Sequence, residues 1–248
     1  YWMQASFTVE NVLLSCRDGE IISNQKLNEM TIRRFGFTVD DPGYLFTVSM
    51  ADEYKEQKEN IRGFLEEICR HECGFSASVI CSDQWKKVYL IIYRVREARN
   101  WKEYFQKNVV TGLCRNFPGT IICVWIETKQ LTKLVDAMIQ AGSLMEWNLL
   151  QPRGVLICQQ TVEKFEAVPV RYPVELEQRM REMIFDENKK GIARQFQLVC
   201  EEMKREKYFP REIKYSIIRF CMAAGLNYRN YGGEIDETKI LSLMQQIT

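Results

Sequence analysis

One histidine, His71, stands in the 248 residues of this chain. Any Ser-His-Asp or Cys-His catalytic site would have to be assembled around that residue. Phosphate cradles are missing as well: neither G-x-G-x-x-G nor G-x-x-x-x-G-K-[ST] occurs. Apolar runs stop at strand length, short of the ~20 residues that a membrane-spanning helix needs, and no signal peptide opens the chain. An excess of charge is also absent, with 34 basic residues against 33 acidic ones and a formal net charge of +1. Counterion release from phosphates drives nucleic-acid affinity and favours basic proteins, so this segment is not expected to grip DNA by itself.

What is present is ordinary globular material. Hydrophobic residues make up 46% and charged residues 27%, enough for a core of real size and against disorder. The nine cysteines are odd in number and mostly lie within apolar runs such as Ile121-Ile122-Cys123-Val124. Buried free thiols of a reducing cytoplasm are expected, not disulfides. The start at Tyr1-Trp2 and the stop at Thr248 give the expectation that the chain is a piece of something larger.

Along the chain, Phe7, Val9, Val12 and Leu13 lie near one helical face, and Cys16-Arg17-Asp18-Gly19 ends that run. A second helix is expected over 24–34, before the turn Asp40-Asp41-Pro42-Gly43. The period then changes. Strands are expected at 44–50, 78–81, 87–93 and 120–126, the last almost unbroken in apolar character, as for an interior strand. Helices are expected at 54–73, with Ile61, Phe64, Leu65 and Ile68 as its stripe, and at 98–116, with Trp101, Tyr104, Phe105, Val109 and Leu113 turned inward. The order strand, helix, strand, strand, helix, strand predicts an α+β, ferredoxin-like antiparallel sheet, extended by a helix at 131–141 and a short strand at 155–158. Beyond Tyr172 the pattern is helical, with Pro173 and Pro210 at helix starts, interruptions at Gly225 and Gly232-Gly233, and a last helix at 236–247. Three segments result: 1–37 helical, 38–168 α/β, and 169–248 helical.

Few residues carry chemistry. His71 lies in Cys69-Arg70-His71-Glu72-Cys73. On a helix the two cysteines share a face while His71 points roughly 200° away, and no second Cys/His pair completes a zinc set. A solvent-facing histidine at a helix end is the better reading, and no metal, cofactor or catalytic residue is expected. Tyr231-Gly232-Gly233-Glu234 looks briefly like a cyclase signature but falls between predicted helices, where a flexible link fits better. Lys189, Lys190, Lys204, Arg205 and Lys207 are interleaved with Glu201, Glu202 and Glu206, which describes an ion-paired, solvated face. Trp85 in a hairpin tip and Trp147 in a linker lack an obvious core role, so they are candidates for a ligand or partner surface.

Three stretches carry a resemblance: Val12-Leu13-Leu14-Ser15-Cys16-Arg17-Asp18-Gly19 with the later Arg34-Phe35-Gly36-Phe37, the strand Tyr44–Met50, and Arg171-Tyr172-Pro173-Val174-Glu175-Leu176-Glu177. In this order they resemble the middle domain that precedes the helix-turn-helix pair of AraC-type transcription regulators, including two-component response regulators. The resemblance implies a degenerate diguanylate-cyclase (GGDEF-like) α/β fold. The cyclase hairpin would need glycines for close approach to phosphate and an acid for a divalent cation, whereas this chain has Ser82-Asp83-Gln84-Trp85-Lys86. Asp52 or Glu53 loosely keeps the acid after the first strand. The resemblance therefore implies a non-catalytic, homodimeric signal-sensing domain, joined to DNA only through a helix-turn-helix domain outside this chain, with a small-molecule or phosphorelay input. The alternatives are a nucleotide-binding or cyclase-like enzyme, and a sensor with a small-molecule pocket.

Overall fold

The computed structural model describes residues 29, 42–50, 54–83, 86–117, 119–130, 133–163, 171–206 and 208–232. The expected helices before residue 38 (save residue 29), the expected helix at 236–247, and Asp52, Glu53 and Trp85 lie outside the described residues. The chain divides into two compact units, Tyr1–Val162 and Glu163–Thr248.

The first unit is α+β. In order it holds β1 (Gly43–Met50), α1 (Tyr54–His71), β2 (Ser76–Ser82), β3 (Lys87–Tyr93), α2 (Trp101–Tyr104), a π-helical segment (Phe105–Val110), α3 (Thr111–Asn116), β4 (Ile121–Thr128), α4 (Leu134–Met145), a 3-10 turn (Glu146–Leu150), β5 (Leu156–Ile157) and α5 (Gln159–Val162). The sheet order is β2-β3-β1-β4-β5. β1 runs antiparallel to both neighbours, with Phe46 opposite Leu90 and Trp125, and β2 is antiparallel to β3. β5 departs from the antiparallel sheet expected from sequence: Leu156 and Ile157 pair in parallel with Cys123 and Val124. The cause is the crossover through α4, which returns the chain to the end of the sheet where β4 began.

Pleat alternation assigns the faces. Phe46, Val48 and Met50 of β1 join Val88, Leu90, Ile92, Cys123 and Trp125 in one core with α1 and the 101–116 helix. Along that helix Trp101, Phe105, Val109 and Leu113 are all buried and sit four residues apart. On an ideal α-helix each such step drifts by roughly 40°. The π turn at 105–110 underwinds the helix and keeps the four on the sheet. Leu45, Thr47, Val124 and Ile126 face the other way and are buried too, because α4 packs on β4 and β1 there through Leu134, Ala137, Met138, Ala141 and Leu144. Thr47, which alternates with Phe46 and Val48 and would face solvent on a strand with one wet side, is therefore 0% exposed.

The second unit holds α6 (Val174–Phe185), α7 (Lys189–Arg205) and α8 (Pro210–Asn230). Met180, Ile184, Val199, Met203, Ile213, Ile217 and Phe220 are its buried residues of helical spacing. Gln195, almost fully buried, is satisfied by donating from Nε2 to the Leu176 carbonyl at 3.2 Å. Pro210 opens α8 at a position where the missing N–H has no intrahelical partner to lose. The interruption expected at Gly225 does not occur, since α8 runs through it to Asn230. One interior glycine costs only about 1 kcal/mol, which a well-packed helix tolerates.

No disulfide links the described cysteines. Burial is less general than expected, with Cys123 and Cys158 buried, Cys73 exposed and the others between. Burial, with Glu66 nearby, pushes the Cys69 thiol up to about 12, and burial raises that of Cys123 as well. Only a thiolate attacks a disulfide reagent. At about pH 8, an aromatic disulfide reagent should therefore label Cys73 quickly and reach Cys69 and Cys123 only after denaturant is added. Peptide mapping of the labelled chain would expose the opposite order.

Candidate functional site

The two ends of the sheet differ in chemistry. At one end lies the β2–β3 hairpin. Ser82 is buried there, and Asp83 is exposed with its Oδ1 2.5 Å from Nζ of Lys58 on α1. That contact raises the Lys58 ammonium above its ordinary value. Ser49 Oγ donates to the Lys86 carbonyl at 3.3 Å, and Lys86 itself has a left-handed φ of 51°. The hairpin acid thus answers a protein cation. Among the described residues, no group of three or more His, Cys, Asp or Glu side chains could hold a metal ion. His71 is exposed at the last position of α1.

At the other end β4 and β5, the parallel pair, release the chain beside a cleft of about 240 Å³. Its walls are Trp125, Ile126 and Glu127 on β4, Lys102 on α2, Gln140 on α4, and Cys158, Gln159 and Gln160 just past β5. Ligands of α/β sheets collect at the carboxyl ends of parallel strands, where diverging connections leave a crevice.

Local structure builds this cleft in steps. The π turn presents Gln106 toward the edge of the sheet. Its Oε1 accepts from the Leu156 N–H at 2.6 Å, and its Nε2 donates to the Gly154 carbonyl at 2.9 Å. Gly154 supplies the positive φ, 79°, that lets the chain turn into β5. Lys102 Nζ donates to Gln160 Oε1, and Gln140 Nε2 donates to Gln159 Oε1 at 3.3 Å. The floor is aromatic, with Trp125 stacked on Tyr44 at 4.9 Å and against Phe105 at 5.0 Å. The Trp125 indole N–H is buried without a hydrogen-bond partner. Such a group costs free energy unless something accepts from it.

Compared with protein-family models, curated proteins and solved structures, the chain matches none of them.

A second, larger hollow of about 580 Å³ shares Glu127 and is otherwise lined by Pro42, Gly43, Tyr44, Arg94, Val95, Thr128 and Lys129. Arg94, immediately after β3, has a φ of 50°, an uncommon conformation for a residue with a side chain. Burial and then the Glu127 charge raise the Tyr44 phenol, which stays protonated.

Of the two aromatics singled out from sequence, Trp85 lies outside the described residues. Trp147 is corrected: it is 7% exposed, because the 3-10 turn that prolongs α4 carries it inward. Sequence reasoning passed over Lys102, Gln106, Gln140, Gln159 and Gln160. One signal was available, the polar Gln159-Gln160 pair immediately after an apolar strand.

Proposed function

We propose that this chain is a non-catalytic, dimer-forming regulatory module of an AraC-type transcription regulator, built on a ferredoxin-like, cyclase-like core. The observation that carries the reading is the sheet order β2-β3-β1-β4 with antiparallel neighbours, joined to a hairpin whose carboxylate, Asp83, is paired with Lys58. A triphosphate with its cations needs clustered carboxylates and a close-approach glycine at this hairpin. Ser82 and the Lys58 ammonium occupy that ground instead. Calorimetry with GTP and magnesium is the test. The expected result is no metal-dependent heat, and saturable binding that requires magnesium would replace this reading with an enzyme.

Dimerisation has its own support. α8 exposes Tyr215, Met222 and Leu226, seven and four residues apart, the a/d spacing of a two-helix seam. Changing both Met222 and Leu226 to glutamate should weaken self-association by at least about tenfold, since each charge would be buried against its own copy. Sedimentation across a concentration series measures this. A wild-type chain that stays monomeric at tens of micromolar would end the dimer proposal.

The sensor reading is favoured by the cleft at the β4–β5 end. Among the described residues no helix is long and apolar enough to cross a membrane.

A further inference from the structure

The β4–β5 cleft combines one ammonium, one carboxylate and carboxamides within about 240 Å³. That volume corresponds to about eight waters of liquid and falls below the roughly 300–1,000 Å³ of pockets for drug-sized ligands. A ligand of amino-acid size fills it, whereas most of a dinucleotide or a nucleoside triphosphate would lie outside it. Glu127 disfavours a plain anion, and Lys102 disfavours a plain cation. Both disfavour an apolar ligand, which would strip their water without replacing it.

From this set we infer that the cleft binds a free α-amino acid. The ligand carboxylate faces Lys102, whose ammonium spends one of its three protons on Gln160 and keeps two to donate. The Trp125 ring lines the same cleft and packs beside the ligand. The ligand ammonium faces Glu127. Gln140 and Gln159, already bonded to each other, offer amide donors and acceptors to a short polar side chain. Charge-assisted hydrogen bonds at both ends give the discrimination, because a ligand lacking either ionic end forgoes one of them. The site stands on its own geometry and does not depend on the regulatory reading, so a failure here leaves that reading standing, and the reverse also holds.

The test uses the whole chain. Thermal shift with each of the twenty standard L-amino acids at about 5 mM should show stabilisation by one or a few of them, by mass action. Calorimetry with the best of these should give saturable binding. Lys102→Gln and Glu127→Gln should each weaken it by about tenfold or more while leaving the unliganded melting temperature near that of the wild type. The Trp125 indole ¹H–¹⁵N resonance, assigned through Trp125→Phe, should move on saturation. Overturning results are no shift with any amino acid, stabilisation by glucose or inorganic phosphate alone, affinity unchanged in both charge variants, or a Trp125 resonance that does not move.

Discussion

Replacing Phe105 with alanine is expected to destabilise the α/β unit by about 3–5 kcal/mol, the cost of deleting a fully buried ring and leaving a cavity. Phe105 is 0% exposed. Its ring centroid lies 5.0 Å from both Phe46 and Trp125, 5.8 Å from Tyr104 and 6.1 Å from Phe75. These neighbours come from β1, β4, the same helix and the β2 approach, so no single element can shift to fill the hole. Aromatic pairs also add attraction beyond area alone. Leucine at this position should recover roughly half the loss, because it fills part of the volume without the ring geometry. Chemical denaturation followed by tryptophan fluorescence measures both. A loss under about 1 kcal/mol for alanine would mean that the site collapses easily and that the aromatic cluster does not hold the unit together.

Gln106→Met should cost about 2–4 kcal/mol, although methionine matches the glutamine in length. The change strands two backbone groups at once, the Leu156 N–H and the Gly154 carbonyl, at roughly 1–3 kcal/mol each. Gln106→Glu should fall between methionine and wild type. Its carboxylate still accepts from Leu156, but it cannot donate to Gly154 and presents charge to a carbonyl. The order Gln, Glu, Met in stability is the expected result. Amide exchange at Leu156 should accelerate in the same order, and equal stabilities for all three would remove Gln106 from its role at the sheet edge. Because β5 leads directly into Cys158, Gln159 and Gln160 on the cleft wall, methionine at this position should also loosen the ligand site.

How much of this was legible in the sequence depends on the range of the interaction. The strands at 44–50 and 87–93 were readable because apolar content and length are local properties. So was the helix carrying Ile61 and Leu65, whose stripe follows the helical period. The stripe at Trp101, Phe105, Val109 and Leu113 was readable as buried, but its spacing of four concealed the π turn, which depends on what the helix packs against. Thr47 misled because alternation implies one wet face, and only α4, ninety residues later, dries the second. Trp147 misled because a segment read as a linker prolongs α4 as a 3-10 turn and carries the ring inward. The parallel pairing of β5 followed from the α4 crossover and from a glutamine fifty positions upstream. Nothing near Leu156 announced either. The cleft residues come from four separate elements, and beyond the adjacent Gln159-Gln160 pair no local pattern joins them.

β1 lies between β3 and β4 with both of its faces covered, and Leu45, Phe46, Thr47 and Val48 are all at 0% exposure. Opening its ladder requires parting two strand pairs and two helix layers together. Its amide protons should therefore trade with solvent only when the entire α/β unit comes apart, while those of the two-residue β5 escape through local fraying. The innermost strand would then serve as a clock for global unfolding, and the outermost as a gauge of motion at the cleft.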